Sequence, residues 1–290
     1  MTYHYLDLEH LCAIAVKAAK RAGEYIASQS FKDNEVQHKS AGSSFASSVF
    51  TEVDMQSQKI ILDILVPTCE LYHIGMLAEE SAEETDRLDK ELFWAIDPLD
   101  GSLPFIQGTS GFAVSIALVT SQGNAVLGVV YDPLLSTTYH AIKGKGAYRN
   151  NRPFTSSSID PSVSFLTWHT DRSLLKSPAF KEWKAILSKI AIDLGYLGLR
   201  IHTSSGAVMH AIAVVESPNT IYFKPPKKMN GGGSIWDFAA TSIIGKEAGV
   251  IVCNFQRKSL ELNDPQTQYM NKQGVIYCRE NKVVDRLLSL

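Results

Sequence analysis

The feature that most restricts the fold of this chain is a change of pattern at Pro153. Before it, residues 93–96, 112–119, 125–131 and 137–142 are apolar runs of strand length. Ser121-Gln-Gly-Asn124 and Asp132-Pro133 interrupt them with turn residues, so this stretch reads as an antiparallel meander. After Pro153 the signal alternates. Residues 180–192 and 208–215 have helical periodicity, 221–223 form a short strand, and 236–248 form a helix stopped by Gly249. Two helices precede the meander. Leu8, Leu11, Ile14, Ala15, Ala18, Ala19 and Ala22 share one helical face. The second helix begins near Asp54, turns Ile60, Ile61, Ile64 and Leu65 inward, and is expected to stop at Pro67. Residues 39–48 are serine-rich and aperiodic, hence a loop. The expectation is a single unit, 1–290, in two halves: α+β over 1–153 and α/β over 154–290.

Composition narrows the partners. The 290 residues are 45% hydrophobic and 20% charged, enough for a large core in an ordinary globular balance. A net charge of -2 gives no field for nucleic acid or anionic membrane. An anionic ligand would need local cations or bound metal. Cys12, Cys69, Cys253 and Cys278 show no CxxC pairing, which argues for reduced thiols over zinc or disulfides. Residues 3–30 carry charges throughout, and no apolar run approaches the roughly 18 residues of a membrane span. The expected compartment is the cytoplasm.

Chemistry concentrates in Trp94-Ala-Ile-Asp-Pro-Leu-Asp-Gly-Ser102. A strand delivers Asp97 to its end, Pro98 bends the chain, and a tight turn can aim Asp97, Asp100 and the Leu99 carbonyl at one point. Such hard oxygen donors suit magnesium better than zinc or copper. Gly101 leaves its amide open to a ligand and Ser102 adds a hydroxyl. Taken alone, the segment is equally an Asx turn capping a helix. Glu79-Glu80 at a strand end can supply a ligand and a base, or form a solvated acidic loop with Glu83, Glu84 and Asp86. Ser234-Ile-Trp-Asp237 and Thr51-Glu-Val-Asp54 each open a helix, where a carboxylate is a cap or a cation holder.

In order and character, the series Thr51-x-x-Asp54, Glu79-Glu80, Asp97-Pro-Leu-Asp-Gly-Ser102 and Trp236-Asp237 resembles the inositol monophosphatase superfamily. The resemblance covers nearly the whole chain. It implies an αβαβα layered sandwich of the inositol monophosphatase and fructose-1,6-bisphosphatase type, and a magnesium-dependent, lithium-inhibited phosphatase. It also implies two or three Mg2+ ions held by Glu79, Asp97, Asp100, Asp237 and the Leu99 carbonyl. Asp54, Glu79 and Ser102 would orient the attacking water, and Gly101 and Ser102 would hold phosphate oxygens. The family usually has Thr at position 102, where this chain keeps only the hydroxyl. Leu103 and Pro104 stand where polar residues are more usual, and Lys39 sits roughly where a family lysine precedes the Thr-x-x-Asp motif.

Within that superfamily the meander is most similar to CysQ-type bisphosphate nucleotidases of sulfur metabolism. This implies removal of the 3′-phosphate from adenosine 3′,5′-bisphosphate. Lys224 fits that reading, because a cation suits a second phosphate where inositol phosphatases tend to carry an acid. Lys227 and Lys228, beside Gly231-Gly-Gly233, form either an anion loop or a solvated basic turn. Gly206 and His210 match the nucleotidase substrate loop only loosely, and His210 reads as a partly buried structural histidine. The alternatives are an inositol or broad sugar-phosphate phosphatase, and a non-catalytic binding protein on the same fold. A monomer is expected over a homodimer.

Overall fold

The computed structural model describes residues 6–29, 36–38, 49–81, 86–154 and 160–289. Lys39 and the serine-rich stretch 39–48 lie outside the described residues. The chain opens with α1 (Leu8–Gln29), the paired strands β1 (Val36–His38) and β2 (Val49–Thr51), and α2 (Glu52–Tyr72). Next come β3 (Gly75–Ala78), a 3-10 turn (Glu79–Ser81), α3 (Asp86–Asp89), β4 (Leu92–Asp100) and α4 (Ser102–Ile106). The meander is β5 (Ala113–Thr120), β6 (Ala125–Asp132), β7 (Thr137–Ile142), β8 (Ala147–Arg149) and β9 (Arg152–Pro153). The second half holds β10 (Leu166–His169), α5 (Arg172–Leu175), α6 (Ala179–Asp193), β11 (Leu199–His202) and α7 (Ala207–Glu216). It ends with β12 (Thr220–Lys224), α8 (Ile235–Glu247), β13 (Ile251–Cys253), β14 (Val275–Cys278) and α9 (Asn281–Leu288).

Among the described residues, β3 to β9 form a seven-stranded sheet in sequence order. A five-stranded sheet has the order β11-β10-β12-β14-β13, with β10 parallel to both neighbours. Helices α1 and α2 cover one face of the first sheet, α7 and α8 fill the space between the sheets, and α6 and α9 cover the far face of the second. The result is the αβαβα order expected from the resemblance. Three apolar cores follow from it: one between α1, α2 and the first sheet, one around α7 and α8 between the two sheets, and one between the second sheet and α6 and α9.

Small residues set the layer spacing. In α1 the buried face carries Ala15, Ala18, Ala19 and Ala22, and a Cβ on Gly23 would overlap the Tyr131 ring of β6. A Cβ on Gly128 would likewise overlap the α8 backbone at Ala240. Bulky anchors complete the cores. Full burial of a side chain such as Ile26 or Phe238 contributes about 1.5–3 kcal/mol.

Two elements differ from the sequence expectation. Pro67 lies inside α2, which runs on to Tyr72. Tertiary contacts hold the last turn: the Thr68 hydroxyl donates to the Leu65 carbonyl at 2.6 Å and accepts from the Trp94 indole at 3.0 Å. Strand β4 is also longer than 93–96, continuing through the Asp-Pro-Leu-Asp segment to Asp100. Among the described residues no helix is long and apolar enough to cross a membrane.

Candidate active site

The extended β4 explains how two aspartates three residues apart face one cavity. Side chains alternate along a strand, so residues 97 and 100 would normally point to opposite faces. The pairing with β5 passes from Asp97↔Ser115 to Asp100↔Ala113, three residues against two. That one-residue bulge brings both carboxylates to the same side. Here a bulge does what a turn was expected to do. Pro98 is tolerated because β3 ends opposite Ile96, so its missing N–H faces no β3 residue. The Ser57 hydroxyl of α2 fastens the Pro98 carbonyl at 2.8 Å. Gly101 then turns the chain at φ 84°, where a Cβ would press on the Gly111 carbonyl.

The remaining ligand candidates arrive from two other elements. Parallel pairing of β3 with β4 sets Ala78 beside Ile96, which carries Glu79 up to Asp97. Asp237 enters in the first turn of α8 and accepts a hydrogen bond from its own N-cap, the Ser234 amide. Ser115 of β5 donates to the Trp236 carbonyl at 3.1 Å, pinning the head of α8 to the strand that pairs with Asp97. Asp97, Asp100 and Asp237 thereby place carboxylate oxygens within 4.8 Å of one another.

Such crowding is costly for like charges. Burial first, then Glu79, Asp100 and Asp237, hold the Asp97 carboxyl far above the usual carboxylate range. Burial and Asp237 push Asp100 up to about 8, although the amides of Val208 and Ala207 and the charge of Lys224 pull the other way. Asp237 is raised by burial, against the opposing pull of Lys224 and the Ser234 amide. Two buried carboxylates and a half-buried third this close need protons or multivalent cations to coexist. The all-oxygen donor set, with the Leu99 carbonyl lining the same cavity, fits magnesium.

The cluster forms the floor of a cavity of about 520 Å³. Glu79, Leu99, Gly101, Ser102 and Lys224 line it with the three aspartates. Asp54 is buried in the first turn of α2, one turn before Gln58, and is not among the lining residues. Gln58 accepts from the Glu80 amide at 3.0 Å, tying that helix to the Glu79 turn. Lys227 and Gly206 line the cavity, whereas Lys228 is exposed outside it. His210 is completely buried rather than partly so, with its Nδ1 3.0 Å from His169 Nδ1.

Sequence reading named Lys224, Lys227 and Gly206 but missed the rest of the opposite wall, Asp171 above all. Strands β10, β11 and β12 run parallel, and ligands gather outside the carboxyl ends of such strands. Asp171 follows β10, Ser204 to Gly206 follow β11, and Lys224 ends β12; all line the cavity. Asp171 Oδ2 binds Lys224 Nζ at 2.9 Å, so the lysine has a carboxylate partner already. The Ala207 and Val208 amides at the start of α7 reach across to Asp100 at 3.1 and 2.8 Å. The recognisable signal was an apolar strand ending in Thr170-Asp171-Arg172, but nothing local linked it to Lys224.

The layered fold and the carboxylate floor together define a class of phosphatase-like proteins, and comparison with known proteins specifies it. The inositol monophosphatase family profile matches residues 7–288. This chain belongs to the inositol monophosphatase family. It is 31% identical over 260 residues to the inositol-1-monophosphatase of Synechocystis, covering 89% of this chain and 83% of that protein. It is 30% identical over 254 residues to the Nus factor SuhB of Escherichia coli, covering 83% of this chain and 84% of that one. The crystal structure of the extragenic suppressor protein SuhB from Bartonella henselae superposes with a TM-score of 0.73. That match is 24% identical and covers 96% of this chain and 98% of the other.

Proposed function

We propose that this chain is a magnesium-dependent phosphomonoesterase whose preferred substrate carries a second phosphate, as adenosine 3′,5′-bisphosphate does. The observation that carries the reading is the clustered carboxylate trio on the cavity floor, with Glu79 beside it. Glu79, Asp97, Asp100, Asp237 and the Leu99 carbonyl would hold the metal. Magnesium, when bound, supplies charge neutralisation at the phosphoryl group and acidifies water.

The chain's own groups do the rest. A Glu79 carboxylate oxygen accepts the proton of the attacking water. Ser102, whose hydroxyl reaches the Leu99 carbonyl at 3.4 Å, orients that water. Asp54, buried in the first turn of α2 outside the cavity lining, would act on it only indirectly. The Gly101 amide and the Ser102 hydroxyl hold phosphate oxygens. Arg172, Lys176 and Lys227 line the wall, Lys224 stands between it and the floor, and a second anionic group suits that wall.

An inositol phosphate is the second reading. Asp171 favours it, because a carboxylate in the wall can accept hydroxyl hydrogen bonds. The printed name of the Synechocystis relative points the same way. A non-catalytic role is disfavoured by the complete set of candidate ligands.

Phosphate release with magnesium, measured for adenosine 3′,5′-bisphosphate and inositol 1-phosphate at equal concentration, tests this. We expect the nucleotide to be hydrolysed faster. Preference for inositol 1-phosphate would retain the metal site and overturn the substrate class. Release from neither of these, nor from a generic aryl phosphate, would overturn the phosphatase reading.

A further inference from the structure

The wall that faces the carboxylate floor contains an ion pair between Lys224 and Asp171. Lys224 ends β12 and Asp171 follows β10, and the parallel pairing of these strands sets the two side by side. Their side chains are only 15% and 25% exposed, and Nζ meets Oδ2 at 2.9 Å. The ammonium also lies 5.5 Å from the centre of the Phe238 ring, one residue beyond Asp237. Lys224 is therefore placed between the floor and the wall, with its head close to both.

On the floor side Asp237 and Asp100 also act on the Lys224 ammonium, whereas on the wall side the neighbours of the pair are cations. Lys227 lines the same cavity, and burial together with the charge of Lys224 holds its own ammonium below the usual lysine range. Arg172 adjoins Asp171 and donates to Gln107 at 3.0 Å. Lys176 completes the group. Asp171 is the sole carboxylate among the described lining residues that the β10–β12 strand ends contribute. A lysine this enclosed needs an anionic partner, because an unpaired ammonium away from water is strongly disfavoured.

We propose that Asp171 is a built-in competitor for the second anionic group of the substrate. It holds Lys224 in place in the free enzyme and yields it to a phosphate oxygen when substrate binds. The proposal rests on the bisphosphate reading given above and adds a positioning residue to it. A phosphate carries about -1.5 to -2 charge near neutral pH, against -1 for the carboxylate, so the exchange favours the ligand. Competition also sets a selectivity threshold. A neutral hydroxyl cannot displace Asp171 from the ammonium, whereas a phosphate can.

The test is titration calorimetry on the full chain with saturating magnesium. The probes are adenosine 5′-monophosphate, which carries the second phosphate, and inorganic phosphate, which does not. Asp171→Asn keeps the shape and removes the competing charge. It should tighten binding of the mononucleotide about tenfold, while inorganic phosphate changes less than about threefold. Asp171→Glu should restore wild-type affinity, which a merely structural role for this side chain would not require. Lys224→Met in the Asp171→Asn background should abolish the gain. Should Asp171→Asn fail to fold, Lys224→Met alone decides the matter: it should weaken mononucleotide binding more than it weakens phosphate, and an equal loss would overturn the proposal. Equal tightening of both probes, weaker mononucleotide binding in Asp171→Asn, or a gain that survives loss of Lys224 would each overturn the proposal. The readout is binding, so failure of the phosphatase assay and failure of this inference remain separate results.

Discussion

The floor and the wall of the cavity follow opposite electrostatic plans. The floor, built from the ends of β3 and β4 with the head of α8, collects Glu79, Asp97, Asp100 and Asp237. The wall, built from the ends of β10, β11 and β12, collects Lys224, Lys227, Arg172 and Lys176 around a single Asp171. Buried histidines lie behind the wall, with His169 and His210 in contact. The floor is suited to cations and the wall to anions, so a phosphate ester with a second charged group would bridge both. Neither plan works alone. Without cations the floor repels phosphate, and without the floor the wall is an ordinary anion site.

The difference can be broken most severely at the floor. Asp237→Asn removes one candidate ligand, yet its amide oxygen can still accept from the Ser234 amide, so the helix cap persists. Turnover should fall by about 100-fold or more with the thermal melting curve nearly unchanged. Near-normal rates in this variant would sink the floor as a metal site.

A smaller effect is expected at the seam between floor and wall. Gly206 has an ordinary φ of -71°, but a Cβ there would overlap the Asp100 carboxylate. Gly206→Ala should push Asp100 away from the Ala207 and Val208 amides and weaken magnesium binding about tenfold, read by calorimetric titration. Unchanged affinity would mean that Asp100 does not need α7 to hold its position.

The smallest effect belongs to the wall and concerns stability. Burial first, then neighbouring histidines, lowers His169 to about 3; burial first, with Lys224 and His202 adding to it, lowers His210 to about 4. Asp171 acts in the opposite sense on His210, and the Tyr222 ring packs beside it. Between pH 6.5 and 4 these two imidazoles bind protons in the unfolded chain but not in the folded one. The raised carboxyls of Asp97, Asp100 and Asp237 act in the opposite sense. The imidazoles' share of the stability present above pH 6.5 is therefore lost as the pH falls through that window. Urea midpoints at pH 7 and pH 5 should show this loss, and His210→Phe should reduce it. An identical loss in the variant would assign the acid sensitivity elsewhere.

The contrast between floor and wall also describes what could be read in the chain itself. The floor was legible because its carboxylates sit in short, distinctive local runs. Asp97-Pro-Leu-Asp-Gly, Glu79-Glu80 and Trp236-Asp237 each combine a strand end or helix start with a charge. The division into two layered halves was legible too, since the meander and the later alternation of helix and strand have different periods, and the five-layer order came with the family resemblance. Pro67 misled because propensity is local, whereas the Thr68–Trp94 contact that sustains α2 spans 26 residues.

By itself, then, the sequence determined which residues are charged, apolar or flexible, and at what period. That was sufficient for two layered halves and, through the family resemblance, for the carboxylates that meet on the floor. Tertiary structure alone decided the bulge that turns Asp97 and Asp100 to one side, because it depends on the register against β5. It also decided the pairing of Asp171 with Lys224, 53 positions apart in number but 2.9 Å apart in space. Strand register and parallel crossovers are set by the packing of whole sheets. No local run of residues encodes them, and they decide which charges meet.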